Sequence, residues 1–246
     1  MDKVFLIKRY LMRCWENILD LIYPPKCILC EKLLVPFEGH TICETCAPYF
    51  RPITGNLCNC GRPFLPNCEF CQTHLFEKNI GVYAYEGMAQ ELIYRFKFRK
   101  KPYIAKGMAK LMLSGIDASY IRWADVILAV PIHKKRHRSR GFNQADLLAR
   151  AIARELELDS PRPLILRKKY TQPLSAFTPT GRRNVLKSAF VFNKKFDITG
   201  KKILIIDDIF TTGATLNALT KVLFENGASR VRCLTFSVVP PKKSDS

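Results

Sequence analysis

Two adjacent carboxylates, Asp207 and Asp208, stand between an apolar run and a loop of small and hydroxyl-bearing residues. The run, Ile203 to Ile206, is β-prone throughout and reads as a buried strand. The loop, Thr211-Thr212-Gly213-Ala214-Thr215, opens a helical pattern that runs to about Asn226 and stops at Gly227. Amides of such a loop and of the first helical turn point at an anion, and the helix dipole favours negative charge, so this segment can hold a phosphate. The carboxylates then lie where sugar hydroxyls would be if that phosphate belonged to a phosphoribose. The alternative is an ordinary strand–turn–helix with a surface acid pair, which needs strand, acids and loop to coincide by chance.

A second chemistry lies near the start of the chain. Of ten cysteines, eight fall between Cys27 and Cys71, as Cys27-x-x-Cys30, Cys43-x-x-Cys46, Cys58-x-Cys60 and Cys68-x-x-Cys71. Close pairs favour metal over disulfides. Two thiolates on one tight turn share a tetrahedral Zn2+, and a second turn completes the set. Taken in order, the pairs predict two zinc sites: Cys27, Cys30, Cys43 and Cys46, then Cys58, Cys60, Cys68 and Cys71. All-cysteine ligation closes the coordination shell, which makes the metal structural. Prolines at 24, 25, 36, 48, 52, 63 and 66 leave little room for a core, so metal supplies much of the stability. The one-residue spacer of Cys58-x-Cys60 is unusual and predicts a weaker or distorted second site. His40 and His74 are substitute ligands, with a surface or packing role the expected one. Cys14 and Cys233 stand alone, and Cys233 is expected to be a buried small side chain.

The elements that position these groups can be read from periodicity. Ile80–Tyr85 suits a strand, 88–98 and 103–117 suit helices, and Asp125–Val130 suits a second strand leading into Pro131-Ile132-His133-Lys134. Asn143–Leu156 has apolar residues at 145, 148, 152 and 156, with Asn143 as N-cap. Val231–Val239 would be a late strand. Alternating strands and helices predict a parallel α/β sheet, in which ligands bind beyond the carboxyl ends of the strands. The chain of 246 residues thus divides into an N-terminal amphipathic helix (1–23), a cysteine module (24–73), an α/β domain (78–240) and a polar tail (241–246) expected to be disordered. Residues 1–23 carry Lys8, Arg9, Arg13, Glu16 and Asp20 within their apolar pattern, so they suit neither a secretory signal nor a transmembrane span. A helix packing on the rest of the protein is expected, with a basic membrane-surface helix as the alternative. The chain reads as cytoplasmic.

Forty Lys+Arg against 21 Asp+Glu give a formal charge of +19, which suits a polyanionic partner. The densest run is Lys134-Lys135-Arg136-His137-Arg138-Ser139-Arg140. A solvated basic loop, a nucleic-acid contact and a pyrophosphate contact all fit it. Tyr94-Arg95-Phe96-Lys97-Phe98-Arg99-Lys100-Lys101 interleaves aromatics with cations, as single-strand binding requires, and as a helix end with Phe96 and Phe98 partly in the core would also do. Residues 170–192 form a polar, proline-containing island that suits a mobile loop over a site, with Arg182 and Arg183 able to neutralise phosphate.

Residues 203–215 resemble the signature of the type I phosphoribosyltransferases. The resemblance implies that Asp207 and Asp208 contact ribose hydroxyls of phosphoribosyl pyrophosphate (PRPP). It also implies that Thr211, Thr212, Gly213, Ala214 and Thr215 wrap the 5′-phosphate, and that Lys134 and nearby amides meet pyrophosphate. The chain from about 24 to 239 resembles the ComF family more closely. The resemblance rests on Cys60-Gly61-Arg62-Pro63, Tyr83-Ala84-Tyr85-Glu86-Gly87, Phe96-Lys97-Phe98 and Val130-Pro131-Ile132-His133. It continues through Arg138-Ser139-Arg140-Gly141-Phe142-Asn143-Gln144-Ala145, Thr171-Gln172, Arg182-Arg183-Asn184-Val185 and Ala189-Phe190. It implies an α/β fold with a type I phosphoribosyltransferase-like parallel sheet flanked by helices, preceded by a small Cys-rich double zinc ribbon.

The resemblance also implies a competence protein that handles incoming single-stranded DNA in natural transformation, with a DNA-translocating helicase of the ComFA type as partner. Mg2+ would accompany PRPP, and Lys135, Arg136, Arg138 and Arg140 would meet nucleic acid. No stable membrane insertion is expected. Two other classes stay open: a metabolic phosphoribosyltransferase acting on a base, and a PRPP sensor without turnover. Pyrophosphate release in the presence of nucleobases separates the enzyme from the other two.

Overall fold

In the computed structural model the described residues are 18, 20–36, 38–64, 68–99, 101–168 and 189–240. They form two compact units, one ending at Phe50 and one beginning at Arg51, so the chain divides between the two cysteine quartets. In the first unit Ile18 and residues 20–22 are helical, and Ile18, Leu21 and Ile22 are exposed. The remainder of the expected N-terminal helix, 1–17 and 19, lies outside the described residues. Cys27 N–H donates to Lys32 O at 2.8 Å and Glu31 N–H to Cys27 O at 2.9 Å, which folds a turn around the first cysteine pair. Cys46 N–H donates to Cys43 O at 2.9 Å, and a short 3-10 helix, Ala47–Tyr49, follows.

The second unit contains α1 (Glu69–Thr73), β1 (Lys78–Ala84), α2 (Gly87–Phe98), α3 (Ile104–Ser114), α4 (Ser119–Arg122) and β2 (Val126–Ala129). After these come α5 (Lys134–Arg140), α6 (Gln144–Glu155), β3 (Ile165–Arg167), β4 (Phe190–Phe192), β5 (Lys202–Phe210), α7 (Ala214–Phe224) and β6 (Arg230–Val238). The main sheet has the order β1-β6-β5-β2 and is parallel throughout. Ile203–Ile206 of β5 and Val231, Cys233, Leu234 and Phe236 of β6 are buried. Such near-continuous apolar strands belong to a parallel sheet covered on both faces. Helix α6 packs on α3 and on β2 and β5, and α7 packs on β4 and β6. The α6 stripe Ala145, Leu148, Ala149, Ile152 and Ala153 is buried, and Asn143 caps the helix by accepting Ala145 N–H at 3.2 Å.

The sheet confirms the expected α/β class and shifts several local expectations. The strand expected to stop at Ile206 continues through both acids to Phe210, with Asp207 opposite Thr235 and Ile209 opposite Ser237 of β6. The run 134–140 is a helix rather than a loop, started by His133, whose Nδ1 accepts Lys135 N–H at 3.1 Å, and ended by Gly141. The late strand lies between β1 and β5. A small antiparallel pair, β3 with β4, stands outside the main sheet and has no counterpart in the periodicity reading. Most of the expected mobile loop, residues 169–188 with Arg182 and Arg183, lies outside the described residues, as does the tail 241–246.

Candidate functional site

Because the main strands are parallel, their carboxyl ends face one way, where α/β sheets bind ligands. Ala129 of β2 is in register with Ile206 of β5, and Val130 N–H donates to Ile206 O at 3.0 Å. The chain leaving β2 toward α5 therefore starts level with the acid pair. Asp208 is 7% exposed, and Lys97 Nζ, from the last turn of α2, meets its Oδ1 at 2.9 Å. Asp207 is half-buried, and its Oδ1 accepts Asp208 N–H at 2.9 Å. Burial first, and then the Asp208 charge, push Asp207 up to about 7, against the pull of Lys97 and Arg167.

More cations surround these acids. Arg140 closes α5, is lowered chiefly by burial, and feels both carboxylates as well as Arg136. Its Nη1 donates to Gln144 Oε1 at 3.1 Å, and its guanidinium lies 5.5 Å from the Phe98 ring centre. Arg167 of β3 is lowered to about 10, first by burial and then by Arg136, with Asp207 opposing. Lys97, Arg136, Arg140 and Arg167 thus outnumber the two carboxylates, an excess that suits a ligand with several negative charges.

The basic run sorts into two sets. Arg136 and Arg140 are half-buried, whereas Lys134, Lys135 and Arg138 are exposed. The aromatic–basic run also divides. Phe96 is fully buried against Phe142, with ring centres 5.7 Å apart, whereas Tyr94 and Phe98 are 50% and 59% exposed. Arg95 pairs with Glu91 at 2.7 Å, and Arg99 is exposed.

The loop expected to hold phosphate, Thr211–Thr215, follows β5 directly. Thr211 is exposed; Thr212, Ala214 and Thr215 are half-buried; Gly213 is buried with φ of 73°. A Cβ on Gly213 would lie 2.5 Å from His74 Nε2 and 2.9 Å from two Phe210 ring atoms, so glycine is required both for its backbone and for space. Ala214 and Thr215 open α7; Ala214 N–H donates to Thr212 Oγ1 at a long 3.5 Å, and the amides of a helix's first turn, which have no carbonyl partner within the helix, can meet an anion.

Both cysteine quartets are assembled. In each, the four sulfurs lie within 4.8 Å of one another, and the measured Sγ–Sγ separations are 3.6 Å for Cys30–Cys43 and 3.7 Å for Cys60–Cys68. A tetrahedral zinc with bonds of about 2.3 Å sets its sulfurs at about 3.8 Å, so both quartets fit the ion. Burial and neighbouring thiols push Cys60 up to about 12, and four thiolates at that spacing call for a cation. The short Cys58-x-Cys60 spacer does not keep the second quartet apart. His40 is exposed beside Glu38, and His74 is half-buried, stacked on Phe76 at 4.4 Å; neither joins a quartet. Cys233 is fully buried, as expected.

Sequence reasoning missed Lys97 as the partner of Asp208, along with the roles of Arg167 and Arg62; the packing role expected of His74 is the one it has. Lys97 was in view as part of an aromatic–basic run, and a helical reading of 88–98 turns it away from Phe98. Nothing local marks Arg167, because its place depends on the pairing of β3 with β4.

The raised Asp207 has a consequence for stability. The folded protein holds this proton more tightly than the unfolded chain. The contribution is therefore full below about pH 4 and is lost as pH rises through about 7. Between pH 5 and pH 8 the ligand-free parent should lose more stability in urea melts than Asp207→Asn, which has no proton to release. Parallel losses in the two proteins would contradict the burial of this carboxyl.

A double zinc ribbon domain model matches residues 18–75, and a phosphoribosyl transferase domain model matches residues 143–245. The second match begins after Lys97 and α5, so three of the four cations near the acids, Lys97, Arg136 and Arg140, precede it. The chain is 32% identical over 224 residues to Competence protein ComFC of Bacillus subtilis, covering 82% of this chain and 89% of that protein. It is 30% identical over 223 residues to DNA utilization protein YhgH of Escherichia coli O157:H7, covering 86% and 96%. Competence protein F of Haemophilus influenzae is 28% identical over 217 residues, covering 84% and 94%.

Proposed function

The chain belongs to the ComF family, and from that premise we propose that it handles incoming single-stranded DNA in natural transformation while holding PRPP with Mg2+ at the end of β5. The observation that carries this reading is the acid pair, Asp208 buried and Asp207 half-buried, followed directly by the Gly213 loop, with Lys97, Arg140 and Arg167 acting on it and Arg136 beside the two arginines. In this reading Thr211–Thr215 hold the 5′-phosphate, and Asp207 and Asp208 accept from the ribose hydroxyls. Arg136, Arg140, Arg167 and Lys134 face pyrophosphate. Mg2+ would be held by the carboxylates, directly or through water, and would neutralise charge on the departing pyrophosphate. Lys97 neutralises Asp208 before ligand arrives, and it offers a phosphate its charge afterwards.

Single-stranded DNA fits the neighbouring outer surface. Lys135, Arg138 and Arg99 are exposed, and so are Phe98 and Tyr94, whose rings pack 5.1 Å apart. Each base stacked on an aromatic contributes about 1–3 kcal/mol, and each phosphate neutralised on a single strand adds about −0.7 to the slope of log affinity against log salt. Replacing Lys135 and Arg138 by Ala should flatten that slope by about 1.4 and weaken binding, with PRPP affinity unchanged. An unaltered slope removes the outer face of α5 from the DNA contact. A parent that binds no single strand at low salt removes the DNA reading altogether.

A metabolic phosphoribosyltransferase is the second reading; Phe98, exposed although Arg140 and Tyr94 pack against its ring, would be the residue on which a base stacks. Pyrophosphate released from Mg2+ and PRPP on adding one of a panel of nucleobases would establish it. PRPP binding without release, in a protein that ignores DNA, would make the chain a sensor. The competence reading carries with it a cytoplasmic location and a helicase partner of the ComFA type. Among the described residues no helix is long and apolar enough to cross a membrane.

A further inference from the structure

The second cysteine quartet is tied to the phosphate loop at three points, all within the unit that begins at Arg51. The first tie is Arg62, which closes the cysteine turn: its carbonyl accepts Cys58 N–H at 2.9 Å. Its side chain is buried at 4% exposure and reaches across to the end of β5. There Nε donates to Val239 O at 2.9 Å, and Nη2 donates to Thr211 O, the first carbonyl of the loop. A zinc held by four thiolates keeps two negative charges, so the buried guanidinium has a counter-charge on the metal side as well as acceptors on the loop side.

The second tie is Asn217, in the first turn of α7. Its Nδ2 donates to Thr73 O at 3.1 Å, and its Oδ1 accepts Leu75 N–H at 2.6 Å. Thr73 ends α1, the helix that carries Cys71. The third is His74, between those two bonded residues. It stacks on Phe76, meets the Phe210 ring edge-on at 5.6 Å, and fills the space above the Gly213 Cα. The loop is thus held at its first carbonyl, at its glycine and at the helix turn that follows. All three holds come from residues 62–75.

We infer that the second quartet, acting through Arg62 and Asn217, is a positioning element for the phosphate loop, so that metal held by Cys58, Cys60, Cys68 and Cys71 and the order of Thr211–Thr215 are linked. The inference rests on the PRPP reading only for the identity of the anion. Linkage of this kind is reciprocal: an anion that orders the loop also tightens the metal.

The test is hydrogen exchange on the full chain, without ligand, at a temperature well below melting. In Arg62→Ala the amides of residues 211–216 should exchange at least about tenfold faster than in the parent, with Ile203–Ile206 unchanged and zinc per chain unchanged. Arg62→Lys keeps the positive charge beside the thiolates but gives up the paired donors, and it should show the same local acceleration. Asn217→Ala loosens the loop from the side away from the cysteines, and it decides the matter if Arg62→Ala loses zinc. Parent-like exchange at 211–216 in Asn217→Ala and in a zinc-retaining Arg62 variant overturns the inference. PRPP calorimetry separates it from the reading it builds on. If the parent binds PRPP and Arg62→Ala binds within twofold of it, positioning fails. If the parent binds no PRPP while exchange accelerates, the phosphoribose reading falls and the linkage between quartet and loop stands.

Discussion

The Asp207→Asn/Asp208→Asn protein should bind PRPP roughly ten- to a hundredfold more weakly than the parent in calorimetry with Mg2+, since each hydrogen bond to a charged group is worth about 1.5–3 kcal/mol. Asn keeps the shape of both side chains and removes the charge that ribose hydroxyls and the metal require. The double variant also strands Lys97, whose ammonium meets Asp208 at 2.9 Å in a largely enclosed setting. Breaking a buried pair from one side costs about 3–5 kcal/mol, so a lower melting temperature is expected as well. Adding Lys97→Met to Asp208→Asn should restore much of the melting temperature without restoring PRPP. That outcome separates a binding defect from a folding defect. Thr212→Val is the milder companion, removing one hydroxyl from the loop at nearly constant volume. Unchanged PRPP affinity in the double acid variant would sink the assignment of the site.

Zinc loss has the other large effect, and its reach differs between the quartets. Structural zinc contributes about 10–16 kcal/mol in small cysteine modules at neutral pH, so three remaining thiolates forfeit much of the stability around them. Cys27→Ser should melt the unit that ends at Phe50 and leave the sheet, read by near-ultraviolet dichroism, intact. Cys60→Ser should reach the sheet. Asn79 N–H of β1 donates to Asn59 O at 2.7 Å, Asn79 Nδ2 donates to Cys60 O at 3.0 Å, and a Cβ on Gly61 would stand 2.8 Å from Gly81 N. Elemental analysis of protein purified without chelators should return two zinc ions per chain. A zinc-free, fully folded protein would refute both quartets.

What could be read from the chain alone divides along physical lines. The quartets were legible because thiol spacing on a turn is local chemistry, and so was the loop Thr211–Thr215, whose residue types serve a backbone conformation. The end of β5 was not legible. An acid pair normally terminates a strand. Here Asp207 stays in the ladder because its neighbour on β6 is the small, buried Thr235, followed by Ser237, and those partners lie well along the sequence. Helix α5 has no apolar residue between Lys134 and Arg140 and hence no amphipathic stripe; a histidine cap and Gly141 set its limits. β3 and β4 are three residues each, too short for periodicity to register. The roles of Lys97, Arg62 and Asn217 are long-range by nature. Each is an ordinary polar residue until the fold brings its partner.

The strand order β1-β6-β5-β2 also governs when this protein can exist during its own synthesis. β1 begins at Lys78, and the strand beside it, β6, begins at Arg230. At about 5–20 residues per second, the ribosome takes roughly seven to thirty seconds to make the intervening chain. For that interval Val82 and Tyr83, buried in the finished sheet, have no strand to lie against, and β5 has only β2. The acceptors that Arg62 needs are Thr211 O and Val239 O, and the second of these is made after β6. The hold of Arg62 on the Thr211–Thr215 loop can therefore be completed only after β6 has been made. Pairing across so long a stretch of chain slows folding, and it leaves the apolar residues of β1 without their partner strand until β6 is inserted.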